Sequence, residues 1–145
     1  LMSELSELAV GPRYSPSEIA RRYLPMADGK LLDGNLRQQL TQYDMDAMVM
    51  GLAKQKAFEE GRQGTLDPNT TSFFKYYATE LDQRCSELKL ALMGTQGLGW
   101  EGEGFDSDEL MEARHWAHSK ILTIAGGSSE IQLNVVAKRV LQLPD

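Results

Sequence analysis

The longest regular pattern of apolar and polar positions runs from about Gly34 to Glu60. Leu36, Leu40, Tyr43, Ala47 and Met50 recur at spacings of three and four, which is one stripe on a 3.6-residue helix. Met45, Met48, Val49 and Leu52 widen the stripe, so this helix is expected to be covered on two sides. Residues 61–68 form a loop by composition. A second long helix is predicted from about Asn69 to Met93, where Phe74, Tyr77, Leu81, Cys85, Leu88 and Leu92 hold the same spacing. Shorter helices flank this pair. Leu1, Leu5 and Leu8 are helically spaced, and that segment ends near Gly11-Pro12. Ser15-Pro16-Ser17-Glu18 opens a helix that reaches about Tyr23 and stops before Pro25. Asp28-Gly29 marks a turn. After a glycine-rich stretch from Gly94 to Phe105, Asp106 or Ser107 caps a helix from about Asp108 to Ile124. Gly126-Gly127 breaks it, and a last helix runs from Ser129 to about Leu141, before Pro144. No segment shows a strand period worth assigning. The pattern predicts an all-α domain over residues 1–145, arranged as an antiparallel four-helix bundle.

Composition narrows the classes of function. The chain has 145 residues and a formal net charge of −6, which repels phosphate and argues against nucleic acid as the main partner. Cys85 is the one cysteine, so no internal disulfide forms, which fits a reducing, cytoplasmic setting. No apolar run approaches the roughly 18 residues that a membrane span needs, and no signal peptide is visible. The first residues have helical spacing but no cap before them, as expected of a piece of a longer chain.

Candidate chemistry is sparse. Gly97-Leu98-Gly99-Trp100-Glu101-Gly102 fits G-x-G-x-x-G, but a helix precedes it where a dinucleotide fold needs a strand. It reads better as a connection that lets backbones pack closely. Glu112, His115 and His118 share one helical face. A di-iron bundle needs a second Glu-x-x-His pair, and both histidines are already used here, so a solvated face is the expectation and no metal is assigned. Cys85 lies on an apolar stripe and reads as structural. Phe73, Phe74, Tyr76 and Tyr77 read as core and helix contacts.

The sharpest feature is the broken helix at Gly126-Gly127. With Gly127 or Ser128 as cap, Glu130 falls in the first turn of the next helix, where its charge favours the N-terminus. Free N–H groups and the Ser128 and Ser129 hydroxyls would suit a phosphate or another polar acceptor. The plain alternative is a tight, well-capped corner that binds nothing.

Residues 123–132, Thr-Ile-Ala-Gly-Gly-Ser-Ser-Glu-Ile-Gln, followed by Asn134 to Leu141, resemble the C-terminal signature of the acyl-CoA dehydrogenases, most closely those of the large bacterial branch. Ser119-Lys120 stands where that branch usually has Ser-Arg. Leu92 to Leu98 is similar to the family's glycine-rich segment between the third and fourth helices of the domain. The resemblance covers nearly the whole chain and is sharp over roughly the last 30 residues. It implies a four-helix C-terminal domain that follows an N-terminal helical domain and a middle β-domain, neither present in these residues. It also implies an FAD-dependent desaturation of an acyl-CoA thioester, with electrons passing to an electron-transfer flavoprotein-type acceptor. A homodimer or tetramer formed through the bundle is implied as well.

The same resemblance assigns residues. Gly126 and Gly127 would lie beside the flavin and the substrate thioester, Ser128, Ser129 and Glu130 would contact FAD, and Lys138 would face the CoA end of the substrate. Ala91 to Thr95, with Gly94 and Thr95 foremost, would reach the FAD of a neighbouring subunit. Some members carry the catalytic glutamate at the position of Gly126; others carry it at the start of the domain's first helix, a region expected before Leu1. No catalytic base is therefore assigned within these residues. The family's usual glutamine is Ala91 here, its usual arginine after Ile131-Gln132 is Leu133, and the arginine-plus-Phe-Gly motif between the first two long helices is missing. These departures keep two alternatives open: a catalytically silent partner subunit of the same fold, and a free-standing helical interaction domain.

Overall fold

The computed structural model describes residues 14–144; the helix expected over the first ten residues lies outside them. The first described helix, α1 (Pro16–Tyr23), starts on a capping box. The Ser15 hydroxyl accepts from the Glu18 N–H at 3.3 Å, and the Glu18 carboxylate accepts from the Ser15 N–H at 2.7 Å. These reciprocal bonds satisfy two N–H groups that a helix start leaves open. Leu24 is extended, as the residue before a proline prefers.

The Asp28-Gly29 turn forms as expected, with φ of 50° and 71°. It closes a minimal antiparallel hairpin, β1 (Met26–Ala27) and β2 (Lys30–Leu31), with Met26 opposite Leu31. Two residues per strand are too few to leave a period in the sequence, so only the turn was legible.

Helix α2 (Gly34–Gln63) is capped by Asp33, whose Oδ1 accepts from the Leu36 N–H at 2.9 Å. Its stripe turns inward: Met50 is buried, and Leu36, Leu40, Tyr43 and Ala47 are half-buried. The widened stripe does not. Met45, Met48, Val49 and Leu52 are each at least 58% exposed, so within the described residues the expected second cover is absent. Helix α3 (Thr70–Met93) buries Leu81, Cys85, Leu88 and Leu92, as its spacing predicts. Helix α4 (Ser107–Leu122) is capped by Asp106, whose Oδ1 accepts from the Asp108 and Glu109 N–H groups, both at 2.9 Å. Helix α5 (Ser129–Val135) is shorter than expected. From Val136 to Val140 the backbone widens into a π turn, in which the Leu141 N–H reaches the Val136 carbonyl at 2.9 Å. Five helices and one two-residue hairpin make the described chain all-α. None of these helices is long and apolar enough to cross a membrane.

The chain divides into two compact units. One takes in residues 14–42 and 84–118. Its apolar core gathers Ile19, Ala20, Leu31, Cys85, Leu88, Leu92, Met93 and Ala113. A polar network runs through it. Lys89 on α3 donates to both oxygens of Glu112 on α4, at 3.0 and 3.2 Å, with both side chains almost fully buried. Glu109, one turn earlier, accepts from the Tyr23 hydroxyl at 2.7 Å and from the Asp106 N–H at 2.9 Å. Burial, followed by the bond to Glu109, pushes the Tyr23 hydroxyl well above its ordinary pKa. Arg22 reaches the other oxygen of Asp106 at 2.6 Å. Three helices are thus fastened together, and at the buried Lys89–Glu112 pair neither partner has water to fall back on.

This network corrects one expectation. Glu112 is buried and not on a solvated face; the apolar pattern of α4 is too thin to show which side turns inward. Lys89 supplies its partner from α3. Among the described residues no group of three or more His, Cys, Asp or Glu converges on a metal position.

The second unit takes in residues 43–83 and 119–144. It buries Met50, Leu81, Ser119 and Gln132, and Phe73 stacks on Tyr77 with ring centroids 5.9 Å apart.

Lys89→Met leaves the Glu112 carboxylate buried without its cation and is expected to cost about 3–5 kcal/mol in urea unfolding. The double change Lys89→Met with Glu112→Leu is expected to recover most of that loss. Acid is expected to weaken the first unit through its caps. The Glu109 backbone N–H, then Arg22, hold Asp106 below the ordinary carboxylate pKa, and the Ser15 backbone and side chain hold Glu18 below it. A carboxyl with a lowered folded pKa contributes stability above its unfolded pKa, and that contribution is lost as pH falls through the folded value. The melting temperature is therefore expected to fall as pH drops below roughly 4.5, and to fall less steeply in Asp106→Asn.

Candidate functional site

The corner between α4 and α5 begins where α4 stops at Leu122. The Ile124 and Ala125 N–H groups still reach back to the Ile121 carbonyl, at 3.0 and 2.9 Å. The chain then reverses through Gly126 and Gly127, with φ of 71° and 101°. Two consecutive residues in this region are accessible to glycine at little cost and strained for any side chain. The Ser129 N–H then donates to the Thr123 carbonyl at 3.1 Å and closes the corner. The paired glycines are therefore a backbone requirement.

Gly127 is also fixed by contact. A Cβ there would stand 2.7 Å from the Gln132 amide nitrogen, while a Cβ on Gly126 would meet nothing within 4 Å. That Gln132 nitrogen donates to the Gly126 carbonyl at 3.0 Å, and Gln132 is buried. The inner side of the corner is thus filled, and the Gly126 side is open.

Both serine hydroxyls already have acceptors. Ser128 Oγ donates to Glu130 at 2.7 Å, and Ser129 Oγ donates to Glu80 of α3 at 2.8 Å. The Ser128 hydroxyl, then the backbone N–H of Glu130 itself, hold the Glu130 carboxyl below its ordinary pKa. The first turn of α5 is therefore served by its own carboxylate. A phosphate would meet two carboxylates here, contrary to one sequence expectation. The corner instead presents oxygen lone pairs beside an open glycine face, which suits the N–H and O–H donors of a flat, hydroxyl-bearing ligand.

Three α3 side chains grip the corner from outside. Lys75 Nζ donates to the Gly127 carbonyl at 2.6 Å, Glu80 holds Ser129, and the Gln83 amide donates to the Ser119 carbonyl at 3.3 Å and to Thr123 Oγ1 at 2.9 Å. No local pattern signals these partners, because they lie 36 to 52 residues from the groups they hold.

The remaining predicted residues fall elsewhere. Lys138 is exposed on the π turn and lines an open groove of about 300 Å³ with Ile131, Asn134, Val135 and Arg139. Gly94, with φ of 60°, opens a short 3₁₀ turn to Leu98, and Thr95 is exposed on it. Gly97 in that turn packs against α3: a Cβ would stand 2.7 Å from the Leu90 carbonyl oxygen. Close packing is thus what the G-x-G-x-x-G stretch provides. Gly94 and Thr95 belong to the first unit, and the corner and Lys138 belong to the second.

Gly126→Ala is expected to destabilise the chain by about 1–2 kcal/mol through backbone strain alone. Gly127→Ala is expected to cost about 1 kcal/mol more, because it also displaces the Gln132 bond. Chemical denaturation of the two variants side by side checks the order.

Comparison with known proteins places the chain. The family described as acyl-CoA dehydrogenase, C-terminal domain, matches residues 27–141. Acyl-CoA dehydrogenase IpdE1 of Mycolicibacterium smegmatis is 29% identical over 127 residues, which cover 88% of this chain and 29% of that protein. In the crystal structure of the ChsE4–ChsE5 complex from Mycobacterium tuberculosis, one chain superposes with a TM-score of 0.69 at 23% identity. The match covers 97% of this chain and 35% of that one, and at that identity it speaks for the fold. This chain spans about a third of the length of the relatives it matches. The 115 residues from 27 to 141 carry the assignment: the chain belongs to the acyl-CoA dehydrogenase family, as its C-terminal domain.

Proposed function

We propose that this chain is the flavin- and substrate-facing helical domain of an FAD-dependent dehydrogenase that introduces a Cα–Cβ double bond into an acyl-CoA thioester. The observation that carries the reading is the corner at Gly126-Gly127. Both residues have positive φ, the Gly126 side is open, and oxygen acceptors stand beside it. Ser128, Ser129 and Glu130 would hold FAD through its N–H and hydroxyl donors. Gly94 and Thr95 would serve a flavin from a second subunit. Gly126 and Gly127 would let the thioester lie close to the backbone, and Lys138 would attract the negative CoA end. FAD, when bound, supplies the hydride acceptor. This chain supplies binding, orientation and exclusion of water around the reacting carbons.

The proton acceptor lies outside the corner in this reading. Gly126 has no side chain to take the α-proton, and no residue of this chain is assigned as the base. The remaining family features are part of the same proposal: a single four-helix C-terminal domain behind an N-terminal helical and a middle β-domain, a homodimer or tetramer, an electron-transfer flavoprotein-type acceptor, and a cytoplasmic setting. A second reading, a silent partner subunit, is favoured by one observation: the corner carries glycine where some members carry the base.

The visible spectrum of the purified full-length gene product tests the proposal. A yellow protein whose flavin absorbance bleaches on addition of an acyl-CoA is the expected result. A yellow protein that bleaches with none of a panel of acyl-CoAs favours the silent subunit, and one that stays colourless after added FAD contradicts both flavin readings.

A further inference from the structure

We infer that Lys75, Glu80 and Gln83 of α3 are positioning residues for the corner at Gly126-Gly127, with Lys75 the principal one. The inference rests on the reading above that the corner meets the flavin, and it adds residues that no part of the family signature contains.

The corner is a reversal with few bonds of its own. The bonds from Ser129 to Thr123 and from Gln132 to Gly126 are internal; neither fixes the direction of the Gly127 carbonyl. A glycine pair with positive φ has wide rotational freedom, so that direction needs an outside constraint. Lys75 provides one: its ammonium meets the Gly127 carbonyl at 2.6 Å in a half-buried position. A charged donor makes a bond roughly twice as strong as a neutral one. Turning the Gly127 peptide would take that acceptor away from a half-buried ammonium.

Two neighbours on α3 complete the grip. Gln83 holds both the Ser119 carbonyl and the Thr123 hydroxyl, which fixes where α4 ends. Thr123 is also the residue whose carbonyl receives the Ser129 N–H, so Gln83 secures one jaw of the closing bond. Glu80 accepts the Ser129 proton and secures the other. It also orients the lone pairs of that hydroxyl away from α3. One helix therefore reaches the entry, the reversal and the exit of the corner. This is the arrangement a site needs when a displacement of about 1 Å costs on the order of 10²-fold in rate.

The test uses the full-length gene product and the variants Lys75→Met, Lys75→Arg and Gln83→Leu. Hydrogen exchange at the Ser129 amide, measured without added FAD, reads whether the corner opens. FAD titration reads whether its geometry matters for binding. Lys75→Met and Gln83→Leu are each expected to speed exchange by about tenfold or more, and to weaken FAD binding by a similar factor. Lys75→Arg keeps the charged donor and is expected to stay within about threefold of the parent in both. Exchange unchanged in Lys75→Met and Gln83→Leu overturns the inference. Faster exchange with FAD affinity unmoved also overturns it, since the three residues then serve the fold alone. If Lys75→Met does not fold, Gln83→Leu carries the same two readouts. A parent protein that binds no FAD overturns the functional reading and with it the positioning role, and the exchange data then decide separately whether the grip on the corner exists.

Discussion

Everything proposed for this domain hangs on one backbone constraint: two adjacent residues with positive φ between α4 and α5. A chain of L-amino acids meets that constraint cheaply only with glycine. Gly126 and Gly127 meet it, and the rest of the corner follows. The reversal turns Ser128, Ser129 and Glu130 onto the start of α5, leaves the Gly126 side open, and drops the Gly127 carbonyl onto Lys75. The hydroxyls then fall against Glu130 and Glu80. The charge of the site is set by that geometry. It is a corner of acceptors with one ammonium behind it, a poor host for phosphate and a fair one for a ligand rich in N–H and O–H.

Helix α3 makes contacts of its own in each of the two units. In the first unit α3 is tied to α4 by the buried Lys89–Glu112 pair and lies against the Gly97 turn. A buried pair of this kind adds little net stability, but removing one partner is costly, so it discourages other helix registers. Glu109, Tyr23 and Asp106 extend the same polar logic to α1. In the second unit, the same helix presents Lys75, Glu80 and Gln83 to the corner.

Local pattern made much of this legible. The stripes of α2 and α3, the Ser15 capping box, the Asp28-Gly29 turn and the break at Gly126-Gly127 are short-range features, and periodicity, caps and glycine express them directly. What stayed hidden was long-range or one-sided. Glu112 looked solvated because α4 has no strong apolar stripe, and its partner sits 23 residues away. Met45, Met48, Val49 and Leu52 promised a second covered face, yet they are exposed within this chain. An apolar pattern records that a surface suits burial and does not say what covers it. The π turn after Val135 cut the last helix short, and nothing in Val136 to Val140 signals a change of winding. The corner was found as a motif, but its serines were read as free donors because Glu80 could not be seen from the sequence.

The most direct test of the central claim is a crystal structure of the full-length gene product grown with FAD. The account predicts flavin electron density against the open side of Gly126, with the Ser128–Glu130 segment within hydrogen-bonding distance and Lys75 still on the Gly127 carbonyl. Flavin bound well away from the corner, or a corner packed against protein with no flavin beside it, would contradict the account.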